Sequence, residues 1–111
     1  MKELTSTQVA QVVLMARELE RAEPELRAFI DGMNEDAQTE LVALMWVGRG
    51  VFEVEDLDEA IATAASEAST PTADYLIGTP HLSDNLEAGL EAMGYSANDA
   101  EDDVLGKGLK A

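Results

Sequence analysis

The run that most constrains this chain spans residues 37–50. Leu41, Val42, Leu44, Met45, Trp46 and Val47 make it apolar nearly all round, and Gly48-Arg49-Gly50 closes it. A helix apolar on every side has to be covered on every side. A strand through residues 41–47 is the competing reading. It fails because Ala37-Gln38-Thr39-Glu40 leads into the apolar stretch without a break, and the combined length is helical. Asn34-Glu35-Asp36 supplies a start, with carboxylates at the positive end of the helix dipole. Gly48 and Gly50 supply the stop, since glycine takes the left-handed backbone that helix ends often use. The rest of the chain must therefore wrap this segment.

The remaining sequence predicts further helices. Thr5 and Gln8 have the spacing of a capping box, in which each side chain satisfies a free backbone N–H near the other. Val9, Val12, Val13, Ala16 and Leu19 follow as one apolar stripe. This helix should weaken ahead of Pro24, which disfavours helical geometry in the residue before it. Pro24 then opens a short second helix with Leu26, Phe29 and Ile30 facing inward, ended by Gly32; a kinked continuation of the first helix is the alternative. After the central segment, acidic residues 53–59 open a helix whose narrow stripe is Leu57, Ile61, Ala64, Ala65 and Ala68. Thr70 is read as the cap and Pro71 as the first residue of a short helix through Ile77. Gly78 ends that helix, and Thr79 with Pro80 repeats the logic for a last helix carrying Leu82, Leu86, Leu90 and Met93. Gly89 lies on the same side, where a glycine costs about 1 kcal/mol relative to alanine, so another backbone should pass close to it.

The expected fold is all-α: a single compact domain over residues 1–95 with about five helices, two of them short, and a flexible acidic tail over 96–111. The apolar fraction of 46% is that of a folded protein, and the aromatic fraction of 5% suits helices packed through small side chains. No internal repeat is visible.

A formal charge of −16 repels nucleic-acid phosphates and anionic membranes and attracts basic partners. The chain has no cysteine, which removes disulfides, thiolate metal sites and a cysteine nucleophile. No signal-peptide core and no membrane-length apolar run stands in the sequence, so a cytoplasmic protein is expected. No cofactor motif is present. The acidic runs 53–59 and 98–103 lack the glycine that a calcium loop places at its sixth position, so no metal site is expected. Gly48-Arg49-Gly50 lacks the pattern of a phosphate loop.

Four residues are candidates for binding a ligand or partner: Arg49, Trp46, Tyr75 and His81. Arg49 is the only lysine or arginine between Arg27 and Lys107, an interval holding most of the 23 acidic residues. Its planar donors suit an internal fork with carboxylates or helix-end carbonyls; a contact to a bound anion is the other reading. Trp46 reads first as a core residue. His81, the only histidine, falls in the first turn of the last helix near Asp84; no nucleophile or metal ligand accompanies it, and it reads as solvent-facing. No catalytic residue is identified.

Residues 41–50, together with Ala73-Asp74-Tyr75-Leu76-Ile77-Gly78-Thr79-Pro80-His81-Leu82 and Leu86-Glu87-Ala88-Gly89-Leu90, resemble a family of short uncharacterised bacterial proteins. That family, a domain of unknown function, pairs a Trp-x-Gly-Arg-Gly segment with a Tyr-Leu-x-Gly-x-Pro-x-Leu segment and an ending similar to Leu-Glu-x-Gly-Leu. The resemblance covers roughly residues 35–94. It implies that the two segments act as one unit and implies no catalytic residue, and Arg49 is expected near the start of the last helix or the 53–59 turn, close to Tyr75 or Asp74. The leading function is a non-enzymatic protein-interaction or regulatory module with a basic protein partner. The alternatives are a small-molecule or anion-binding protein using Arg49, Trp46 and Tyr75, and an acidic mimic of nucleic acid that inhibits a DNA-binding protein. A homodimer through an Ala/Gly-rich helix face is a further expectation.

Overall fold

A computed structural model describes residues 2–95. Its elements are α1 (Ser6–Arg17), α2 (Leu19–Asp31), α3 (Glu35–Gly48), α4 (Leu57–Ser66), α5 (Thr72–Ile77) and α6 (Leu82–Ala92), with one 3₁₀ turn, Val54–Asp56, before α4. The fold is all-α, with no strand among the described residues. The acidic tail read at 96–111 lies outside them.

The all-round apolar segment is the centre. α3 packs most extensively against α6 and α4 and also meets α5, while α1 covers α6 and α2 leans on α5. Leu41, Ala43, Leu44 and Met45 are fully buried. Asn34 caps α3 by accepting from the Ala37 N–H at 2.8 Å. At the other end Gly50 takes φ +83°, and the Gly50 and Val51 N–H groups donate to the Val47 and Trp46 carbonyls. This pair of bonds satisfies carbonyls that a helix end would otherwise leave free, and it needs a left-handed residue. The predicted stop is therefore made by Gly50.

The Thr5–Gln8 capping box at α1 is formed in both directions. The predicted break ahead of Pro24 is not where the chain breaks. α1 ends at Glu18, where φ −108° and ψ 35° leave the helical range, and Pro24 lies inside α2. The break places Pro24 in the second turn of a new helix. The proline removes one bond there without having to start a helix of its own. Leu26 and Ile30 are buried, and Phe29 packs against the core, as the apolar spacing predicts.

The two Thr-Pro starts are also corrected. α5 begins at Thr72, after an extended Pro71, and Thr70 makes no cap. The Thr79 hydroxyl donates to the Tyr75 carbonyl at 2.7 Å, so it closes α5 and does not cap α6. α6 instead starts after His81, whose φ of 57° turns the chain away from Pro80. On α4 the buried face centres on Ala60 and Ala64; Ala65 is exposed, and so is Ala68, which lies beyond the end of the helix.

Candidate functional site

Two surfaces flank the C-terminal half of α3, and the four candidate residues divide between them. Trp46 and Tyr75 line a groove of about 290 Å³ between α3, the end of α4 and the start of α5. Arg49 and His81 line a separate, more open depression beside Pro80 and Asp84 at the start of α6.

In the groove, Trp46 is half-buried and not part of the sealed core. Its indole N–H donates to the Tyr75 hydroxyl at 3.0 Å. One side of the indole is stacked on Phe52, with centroids 5.8 Å apart and planes inclined by 26°. The helix stop at Gly50 makes this stack possible, because it folds the chain back so that Phe52 returns over Trp46. The two aromatics are thus held by each other and by the hydrogen bond, and Tyr75 remains 38% exposed. Val42 and Ala64 give the groove an apolar floor, and Thr39, Glu67 and Thr72 give it a polar edge. Glu67 is the one charged residue among those lining it.

Arg49 lies near the start of the last helix, as expected, but not with Tyr75. Among the described residues it makes no ion pair, so the internal fork is not formed. Asp74 is paired instead with Arg27 of α2, and their hydrogen bond holds the Arg27 guanidinium above its ordinary value. This pair ties α2 to α5, and Arg49 is exposed. His81 is exposed, in line with the solvent-facing reading. Its left-handed backbone is tolerated because histidine is among the residues enriched there.

Two residues with larger structural roles were missed by sequence reading. Glu40 is only 5% exposed. Its carboxylate accepts the successive backbone N–H groups of Lys2, Glu3 and Leu4, at 3.0, 3.0 and 2.8 Å. The signal was available: Glu40 shares a helix face with Ala37 and Leu44, so a charged residue stood on a buried stripe. Gly48 is the second. A Cβ there would lie 1.7 Å from the Asn85 carbonyl oxygen. Gly48, the last residue of α3, is also its contact point with α6. Gly89 answers it on α6, as its cost predicted: a Cβ there would lie 2.5 Å from the Leu44 carbonyl oxygen. Both glycines are used in the contact between α3 and α6.

Among the described residues no cluster of His, Asp and Glu is arranged to hold a metal ion. No helix among them is long and apolar enough to cross a membrane. A family model described as a protein of unknown function (DUF3775) matches residues 23–95. That span holds all four candidate residues and α3 to α6, and it leaves α1 outside. No curated protein and no solved structure matches the chain. With well over half of its length matched, the chain belongs to the DUF3775 family.

Proposed function

We propose that this DUF3775 protein is a non-enzymatic, cytoplasmic interaction module that binds a basic protein partner through the Trp46–Tyr75 groove. The observation that carries the reading is the groove itself: two aromatics fixed by a hydrogen bond, exposed at one edge, with an apolar floor and a carboxylate. Tryptophan and tyrosine are the side chains that most often anchor an interface, because they bury much area at little conformational cost. The formal charge of −16 supplies long-range attraction to a basic surface and speeds encounter. The separation of Arg49 from Trp46 and Tyr75 weighs against one anion site built from all three.

The test uses a photo-crosslinking residue at Thr72, which lines the groove, and another at exposed Glu20 on α2, which does not. The Thr72 probe is expected to capture a defined basic protein and the Glu20 probe is not. The purified pair should perturb the fluorescence of Trp46, the only tryptophan. Affinity should fall as salt rises from about 0.1 to 1 M, where the screening length shrinks from about 10 to 3 Å. Capture at Glu20 alone, or affinity unchanged in Trp46→Leu, would sink the reading.

A second reading is favoured by the unpaired state of Arg49 among the described residues. In it the Arg49–His81 depression binds a small anion. A phosphate or carboxylate that binds only the folded protein raises its melting temperature, and Arg49→Gln should abolish that rise.

A further inference from the structure

The groove's own chemistry selects its occupant. Glu67 is the C-cap of α4, whose last turn contains no basic residue. The negative end of a helix dipole and a carboxylate therefore coincide at the groove, an arrangement of like sign that a cation relieves. No lysine, arginine or histidine lines the groove. The hydroxyls of Ser69, Thr70 and Thr72 line it and make no hydrogen bond among the described residues, so they are open to a donor. Trp46 adds a π-face. Phe52 occupies one side of the indole and Tyr75 holds its edge, so the ring is fixed and does not have to be ordered by whatever binds.

Resting on the reading of this groove as the partner site, we propose that its occupant is the side chain of one arginine of the partner protein. A guanidinium stacks on an indole, and its five donors spread over several acceptors at once. The groove distributes its acceptors in that way, over the Glu67 carboxylate and the threonine hydroxyls. A lysine ammonium offers three donors and no planar face. The volume of about 290 Å³ has room for one such side chain.

The experiment titrates the whole protein with short Gly/Ala peptides carrying one arginine, lysine or citrulline, and with free agmatine. Trp46 fluorescence and the NMR shifts of Ala64 and Tyr75 are the readouts. The arginine peptide should bind tightest, lysine next and citrulline at least about tenfold more weakly, since citrulline keeps the shape and loses the charge. Glu67→Gln should weaken the arginine peptide about threefold and leave the citrulline peptide unchanged, the modest size reflecting solvent exposure. Trp46→Leu, followed by NMR, should weaken it roughly fivefold. Equal binding of arginine and citrulline, or no effect of Glu67→Gln, overturns the proposal. Agmatine binding as tightly as the peptide also overturns it, in favour of a small-molecule site. The two readings fail separately. If the Thr72 probe captures a partner whose arginines can all be replaced without loss, arginine is wrong and the groove stands. If no partner is captured at Thr72, the groove reading itself falls.

Discussion

The two sides of α3 handle space in opposite ways. Toward α6 the helix gives up its side chains: Gly48 meets the Asn85 carbonyl and Gly89 meets the Leu44 carbonyl, with no room for a Cβ at either point. Toward α4 and α5 the same helix projects Trp46, and the neighbours stop short, leaving the groove. Backbone-to-backbone contact locks a helix pair in one register. A gap walled by a fixed aromatic keeps a surface ready for a partner. The difference teaches that two facing glycines of this protein build rigidity, aliphatic side chains fill its core, and its few aromatics lie at partly or fully exposed positions.

The strongest way to break that comparison is Gly48→Ala. The new methyl would fall 1.7 Å from a carbonyl oxygen, so α6 must shift as a body. The expected loss is about 3 kcal/mol or more, at the upper end of overpacking costs. At about 4 °C per kcal/mol for a domain of this size, thermal unfolding should begin at least about 10 °C earlier. A change below about 1 kcal/mol would mean that α6 slides freely on α3, and the tight side would then be no tighter than the groove.

Glu40→Gln sharpens the comparison from the N-terminal half of α3. The carboxylate satisfies three successive backbone N–H groups of the segment that precedes α1. A neutral amide keeps one acceptor oxygen and adds an NH₂ group facing donors. Loss of charge-assisted bonds in a buried setting predicts about 2 kcal/mol of destabilisation. Hydrogen exchange should show the cause directly: the amides of Lys2, Glu3 and Leu4 should lose protection, while those of Leu86 and Leu90 change only with global stability. Equal loss at both places would make Glu40 a general core residue and not a clamp.

The helices themselves were legible because their apolar spacing and caps are local. The capping box at Thr5 and the Asn34 cap follow from neighbours within one turn, and the burial of Leu41, Ala43, Leu44 and Met45 follows the local apolar pattern. What was not legible was long-range. Nothing near Pro24 in sequence says that α1 breaks at Glu18. Nothing near Thr79 says that its hydroxyl reaches back to Tyr75 instead of forward to α6. Arg49 was the clearest case: scarcity of positive charge suggested a carboxylate partner, yet Arg49 makes no ion pair among the described residues although Asp84 lines the same depression, and Asp74 pairs with Arg27 from another helix. The resemblance joined the Trp46 and Tyr75 segments correctly into one unit, and the hydrogen bond between them is its physical content. It did not separate Arg49 from them, and Arg49 lines a different depression.

The smallest expected effect concerns the open side. Tyr75→Phe removes the acceptor of the Trp46 indole N–H and leaves the Phe52 stack in place. Because Tyr75 is 38% exposed, water can take over the lost bond, and the stability cost should be only about 0.5–1 kcal/mol. The informative readout is mobility and not melting. Indole side-chain relaxation should show Trp46 sampling more than one orientation in Tyr75→Phe and one orientation in the parent protein. A Trp46 that stays equally ordered would show that Phe52 alone fixes the ring. The groove would then owe its shape to the turn at Gly50, and Gly50→Ala, which opposes a φ of +83°, would become the substitution that disorders the binding surface.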